Sequence, residues 1–133
     1  MNEPFASSYR NPRPYIAKSL SEIYDLLSSF IGDAPKMEDR LGHFPYYNID
    51  TRFAQLIESF GVVREKLGEE RYSRLVDLAA RTKALYLEDP DDTNGKTMEG
   101  IKLVWEMGEI IQDARKRRVQ AKLRDDDGEV TGD

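Results

Sequence analysis

The stretch "TMEGIKLVWEMGEIIQDARKRRVQAKL", residues 97–123, decides how the rest of this chain reads. At about 100° per residue, Ile101, Leu103, Val104, Trp105, Met107, Ile110, Ile111 and Ala114 cover more than half of a helix circumference. A helix that apolar has to pack on two sides at once, which makes it a member of a bundle.

Upstream, three further segments keep a helical period. Residues 16–31 place Ile16, Leu20, Ile23, Tyr24, Leu27, Phe30 and Ile31 at i, i+3/i+4 spacing, with Lys18, Glu22, Asp25 and Ser29 opposite. Gly32 is the expected C-terminal cap. A second helix, capped by Asp50 or Thr51, is predicted to run to Leu67 behind Phe53, Leu56, Ile57, Phe60 and Val63, and Gly68 ends it. A third runs to Glu88 behind Tyr72, Leu75, Val76, Ala79 and Tyr86. Glu69 and Glu70 favour its N-terminal dipole. No strand-like alternation of useful length and no internal repeat interrupts this pattern.

The predicted architecture is therefore all-α: one antiparallel bundle of about four helices over residues 16–124. Residues 1–15 hold three of the six prolines and read as an irregular arm, pinned by Phe5, Tyr9 and Tyr15. Residues 125–133, "DDDGEVTGD", read as a disordered acidic tail. At 133 residues the chain suits a single domain with a core of its own.

Composition narrows the classes of function. No cysteine is present, which excludes thiolate zinc sites, disulfides and a cysteine nucleophile. The first 20 residues carry no basic-then-apolar pattern of a secretory signal, and no window approaches 18 uninterrupted apolar residues. A cytoplasmic, membrane-free location is the expectation. With 20 basic and 25 acidic residues the net charge is −5, which suits a basic protein partner better than nucleic acid.

Candidate chemistry is sparse. The loop "DPDDTNGKTMEG", residues 89–100, has the texture of a calcium loop, which needs oxygen ligands at positions 1, 3 and 5, glycine at 6 and glutamate at 12. With Gly95 at position 6, Pro90 falls at 1 and Ile101 at 12; with Asp89 at 1, Asn94 falls at 6 and Gly100 at 12. Both alignments fail, so the loop reads as a turn built on Asn94–Gly95, with Thr97 capping the next helix.

Glu106, Glu109 and Asp113 share a face, and a metal-dependent nucleotide hydrolase would use such a cluster. Lys102, Lys116 and Arg117 alternate with them, which favours a solvated face instead. His43, the sole histidine, has no nucleophile elbow to serve, and no glycine-rich phosphate loop appears. No catalytic residue, metal or cofactor is expected, and the chain reads as a non-enzymatic protein.

Residues 115–124, "RKRRVQAKLR", hold six cations and no acid, the feature a nucleic-acid-associated regulator would use. The five acids of the last nine residues can neutralise it locally, and cations also suit a helix C-terminus. Arg64 and Lys83 fall inside apolar arcs of their helices, as snorkelling side chains or as charges lining a cleft between them.

The leading expectation is a small inhibitor or immunity-type protein, or more broadly an adaptor or regulator, that masks a basic surface of another protein. Residues 38–50 and 88–94 form the expected contact region. Phe44, Tyr46 and Tyr47 would supply contact area, and Asp89, Asp91 and Asp92 would steer the partner.

Overall fold

The computed structural model describes residues 15–38, 47–125 and 133, with side chains through Ala121 and again at Asp133. Five helices occupy them: α1 (Leu20–Gly32), α2 (Ile49–Val62), α3 (Arg64–Leu67), α4 (Glu69–Leu87) and α5 (Lys96–Asp125). No strand occurs among the described residues. The predicted arm lies outside them except for Tyr15, and so does most of the predicted tail.

α1 starts four residues later than its apolar period suggests. The Ser19 hydroxyl accepts the Glu22 amide at 3.1 Å and so caps the helix. Residues 15–18 are instead strapped to α2: the Ala17 amide donates to Ser59 Oγ at 3.0 Å, and Gln55 Nε2 donates to the Tyr15 carbonyl at 2.6 Å. At the far end Gly32 is still helical and Asp33 takes the cap.

α2 is capped by Asn48, not by Asp50 or Thr51. Asn48 Oδ1 accepts the Thr51 amide at 3.0 Å while Thr51 Oγ1 accepts the Asn48 amide at 3.1 Å, a reciprocal capping box. The predicted single helix to Leu67 is broken at Val63, after the weak helix formers Gly61 and Val62. Val63 and Leu67 are both buried, as an i, i+4 pair is on one face of an unbroken helix too. Gly68, at φ +83°, then joins α3 to α4 in a conformation that only glycine adopts freely.

Side-chain links set the helix directions. Arg52, in the first turn of α2, reaches Ser29 near the end of α1, and Lys83, late in α4, reaches Asp50. Arg71 and Arg74, early in α4, pair with Asp113 and Glu106 in the middle of α5. Gly108 of α5 lies beside Tyr24 of α1. Successive long helices are therefore antiparallel, and α5 closes the ring by packing on both α4 and α1.

The core is apolar and aromatic. Phe30, Phe53 and Phe60 are buried with Leu20, Ile23, Leu56, Leu75, Leu78, Met107 and Ile111. The Phe53 ring meets Phe30 edge-on at 4.9 Å and Tyr86 at 6.0 Å. Tyr86 is buried, and its hydroxyl donates to the Phe30 carbonyl at 2.6 Å. Burial pushes its phenol well above the ordinary tyrosine range. Gly100 leaves room for that ring: a Cβ there would sit 2.6 Å from Tyr86 Cε1.

Trp105 departs from the expected pattern. It belongs to the apolar arc of α5, yet it is 53% exposed, because α1 and α4 cover the flanks of α5 and leave its outermost line uncovered. Tyr24 of α1, also expected to be buried, is 39% exposed beside it.

Candidate functional site

The up-down topology gathers two loops at one end of the bundle: residues 33–38 after α1 and residues 88–95 before α5. Asp33, Pro35, Lys36, Glu38, Pro90, Asp91 and Asp92 border a common depression of about 390 Å³. Four carboxylates thus face one hollow with a single lysine among them.

The first loop is held from beneath by Arg52, a buried cation that apolar periodicity did not single out. Its Nη1 donates to Asp33 Oδ2 at 3.2 Å and its Nη2 to Ser29 Oγ at 2.7 Å. The guanidinium also lies 5.4 Å from the Phe30 ring centre and 5.6 Å from that of Tyr47. Tyr47 is therefore a half-buried lid on Arg52 at the edge of the acidic end. Phe44 and Tyr46, the other expected anchors, and His43 lie outside the described residues.

In the second loop the three predicted acids separate into two roles. Asp89 is only 1% exposed and turns inward, so it is not available as a contact residue. Its Oδ1 accepts the amides of Thr93 at 2.7 Å and Asn94 at 3.2 Å, and its Oδ2 accepts the Thr97 amide at 3.0 Å. The Thr97 hydroxyl donates back to the Asp89 carbonyl at 3.2 Å. Burial alone would raise the Asp89 carboxyl, but these hydrogen bonds from Thr97, Thr93 and Asn94 outweigh it and hold it below the ordinary aspartate value.

The expectation that Thr97 caps α5 is therefore corrected: the helix begins at Lys96, and Asp89 reaches back to cap its first turn. Gly95 supplies the expected positive φ, at +88°. Asp91 and Asp92 remain exposed at the rim. Asp33 and Glu38, which join them, lie more than fifty residues away in the chain; no local spacing marks that meeting.

Arg64 and Lys83 lie near opposite ends of α4 and not together in one cleft. Arg64 forms a forked pair with Glu69 at 2.7 and 2.8 Å and stacks 4.3 Å from the Tyr72 ring centre, on the surface where α3 meets α4. Lys83 lies at the other end of α4, paired with Asp50 at 2.8 Å. Both charges leave their apolar arcs by reaching a surface carboxylate.

The α5 acids are similarly engaged. Glu106 pairs with Arg74, and Asp113 pairs with Arg71 at 2.9 Å and Arg117 at 3.4 Å. Among the described residues no three carboxylate or imidazole groups come together as a metal would require. No described helix is long and apolar enough to cross a membrane. The chain matches no family model, no curated protein and no solved structure.

At the opposite end of the bundle α5 carries Arg115, Lys116, Arg117 and Arg118. Arg115 meets Asp133 at 3.5 Å and Gln112 at 3.0 Å. α5 thus runs from an acidic pole, formed by the loops, to a basic pole, formed by its own residues 115–118, with Glu70 of α4 bordering a hollow beside Arg117. The 20 residues from Lys96 to Arg115 separate them by about 30 Å.

Proposed function

We propose that this protein is a non-enzymatic binding domain, of the inhibitor or immunity type, whose acidic end takes a basic surface of another protein. One observation supports the reading above the others: Asp33, Glu38, Asp91 and Asp92, from two loops remote in sequence, border one hollow. Asp33 is paired with Arg52, but Glu38, Asp91 and Asp92 add to it a surface of mainly negative charge, which is suited to a partner of opposite sign. Exposed rim acids speed encounter, and the Tyr47 edge supplies contact area.

The test is affinity capture from the native host with the wild type and with Asp91→Lys/Asp92→Lys, at low and at high salt. A basic protein retained by the wild type in low salt and lost from the variant supports the reading. A partner retained equally by both removes the acidic end from binding. Capture of nucleic acid through the basic pole would replace the reading with that of a nucleic-acid-associated regulator.

A further inference from the structure

We propose that a second copy of this chain docks, in antiparallel orientation, on the exposed line of α5 centred at Trp105. Trp105 and Tyr24 border a groove of about 290 Å³ between α1 and α5, floored by Leu27, Val104 and Gly108. Met98, two turns before Trp105 on the same line, is 48% exposed. An exposed tryptophan beside an exposed tyrosine is the composition of a contact centre.

Charge identifies the occupant. Lys102 and Glu109 are two turns apart on one side of this line, with Trp105 between them. Both are exposed, and neither has an ion-pair partner among the described residues, unlike Glu106 and Asp113 behind them. A two-fold axis perpendicular to α5 beside Trp105 keeps each flank on its own side and reverses the helix. Lys102 of each copy then faces Glu109 of the other, and the two Trp105 rings meet at the axis.

The same operation sets the basic pole of each copy beside the acidic pole of the other: Lys116 comes level with residue 95 and Gln120 with Asp91. Parallel packing would instead oppose like poles. Self-association is a different property from capture of a basic partner by the acidic end, because its centre is Trp105 and not the loops.

The experiment is sedimentation equilibrium of the purified full chain over a wide concentration range, read together with the emission of its single tryptophan. The expected species is a dimer of twice 15.3 kDa, with emission shifting to the blue as it forms. Trp105→Ala should abolish it. Lys102→Glu, which sets a new carboxylate against Glu109 twice across the axis, should weaken it roughly tenfold or more. Lys102→Glu/Glu109→Lys should return it to within about threefold of the wild type. A wild type that stays monomeric with unmoved emission overturns the proposal. So does a dimer indifferent to Trp105→Ala, or a charge swap that fails to restore association. Capture of a basic host partner by Trp105→Ala would show that the acidic end works independently.

Discussion

Asp89 accepts the backbone amide of Thr97 at 3.0 Å, capping a helix from eight residues upstream. This contact turns an apparent metal-loop acid into the organiser of the α4–α5 connection. Its hydrogen-bonded carboxylate has a lower proton affinity folded than unfolded, so folding releases protons and stability rises with pH in that window. The contribution is complete above the unfolded aspartate value of about 4 and is lost as pH falls through the lower folded value. Asp89→Asn offers an amide that accepts less well and should lower the melting temperature at neutral pH. The difference from the wild type should shrink as melts are taken to about pH 2.

The two glycines on the inner faces of α5 should respond oppositely to alanine. A Cβ at Gly100 would meet the buried Tyr86 ring at 2.6 Å, and overpacking of that kind costs about 1–3 kcal/mol. A Cβ at Gly108 meets Tyr24 at an ordinary 3.6 Å, so Gly108→Ala should add up to about 1 kcal/mol through helix propensity. Urea unfolding of both variants checks the sign.

Tyr86→Phe removes the donor that satisfies the Phe30 carbonyl and should cost about 1–2 kcal/mol. Phe53→Ala, which empties the centre of the aromatic cluster, should cost about 3–5 kcal/mol. Equal losses in the two variants would mean that the one hydroxyl contributes as much as the packing of the whole Phe53 ring.

The buried and the exposed cations should separate in the same assay. Arg52→Ala breaks its hydrogen bonds to Asp33 and Ser29 and uncovers two aromatic rings, for a loss of about 2 kcal/mol. Lys83→Ala, whose partner Asp50 is largely exposed, should cost less than about 1 kcal/mol.

Asp91→Lys/Asp92→Lys should leave stability within about 0.5 kcal/mol, since both side chains are exposed. Thermal melts of this variant keep a loss of partner capture from being read as a loss of fold.

Much of the bundle is legible in the sequence because helical period is a local property. Leu27 and Phe30, Phe53 and Leu56, and Val104, Met107 and Ile111 recur at i, i+3/i+4 and are all buried. The break at Val63 is less legible, since Val63 and Leu67, four residues apart, fit one continuous buried stripe equally well. The cap of α2 shifts by two or three residues because several capping side chains lie together, Asn48 beside Asp50 and Thr51. Asp89 escapes a local reading because its donors arrive through the tertiary shape of the loop.

The sequence by itself determined the helix count to within one break, the antiparallel order expected of helices joined by short and medium connections, and the acidic and basic stretches at the two ends of α5. Only the tertiary structure decided that Asp33 and Glu38 join Asp91 and Asp92, that Arg52 is buried while Arg64 and Lys83 are not, and that Trp105 faces outward. Periodicity names the apolar arc of a helix, but the number and placement of its neighbours decide how much of that arc is covered. On α5 two helices cover the flanks, and the tryptophan between them remains in solvent.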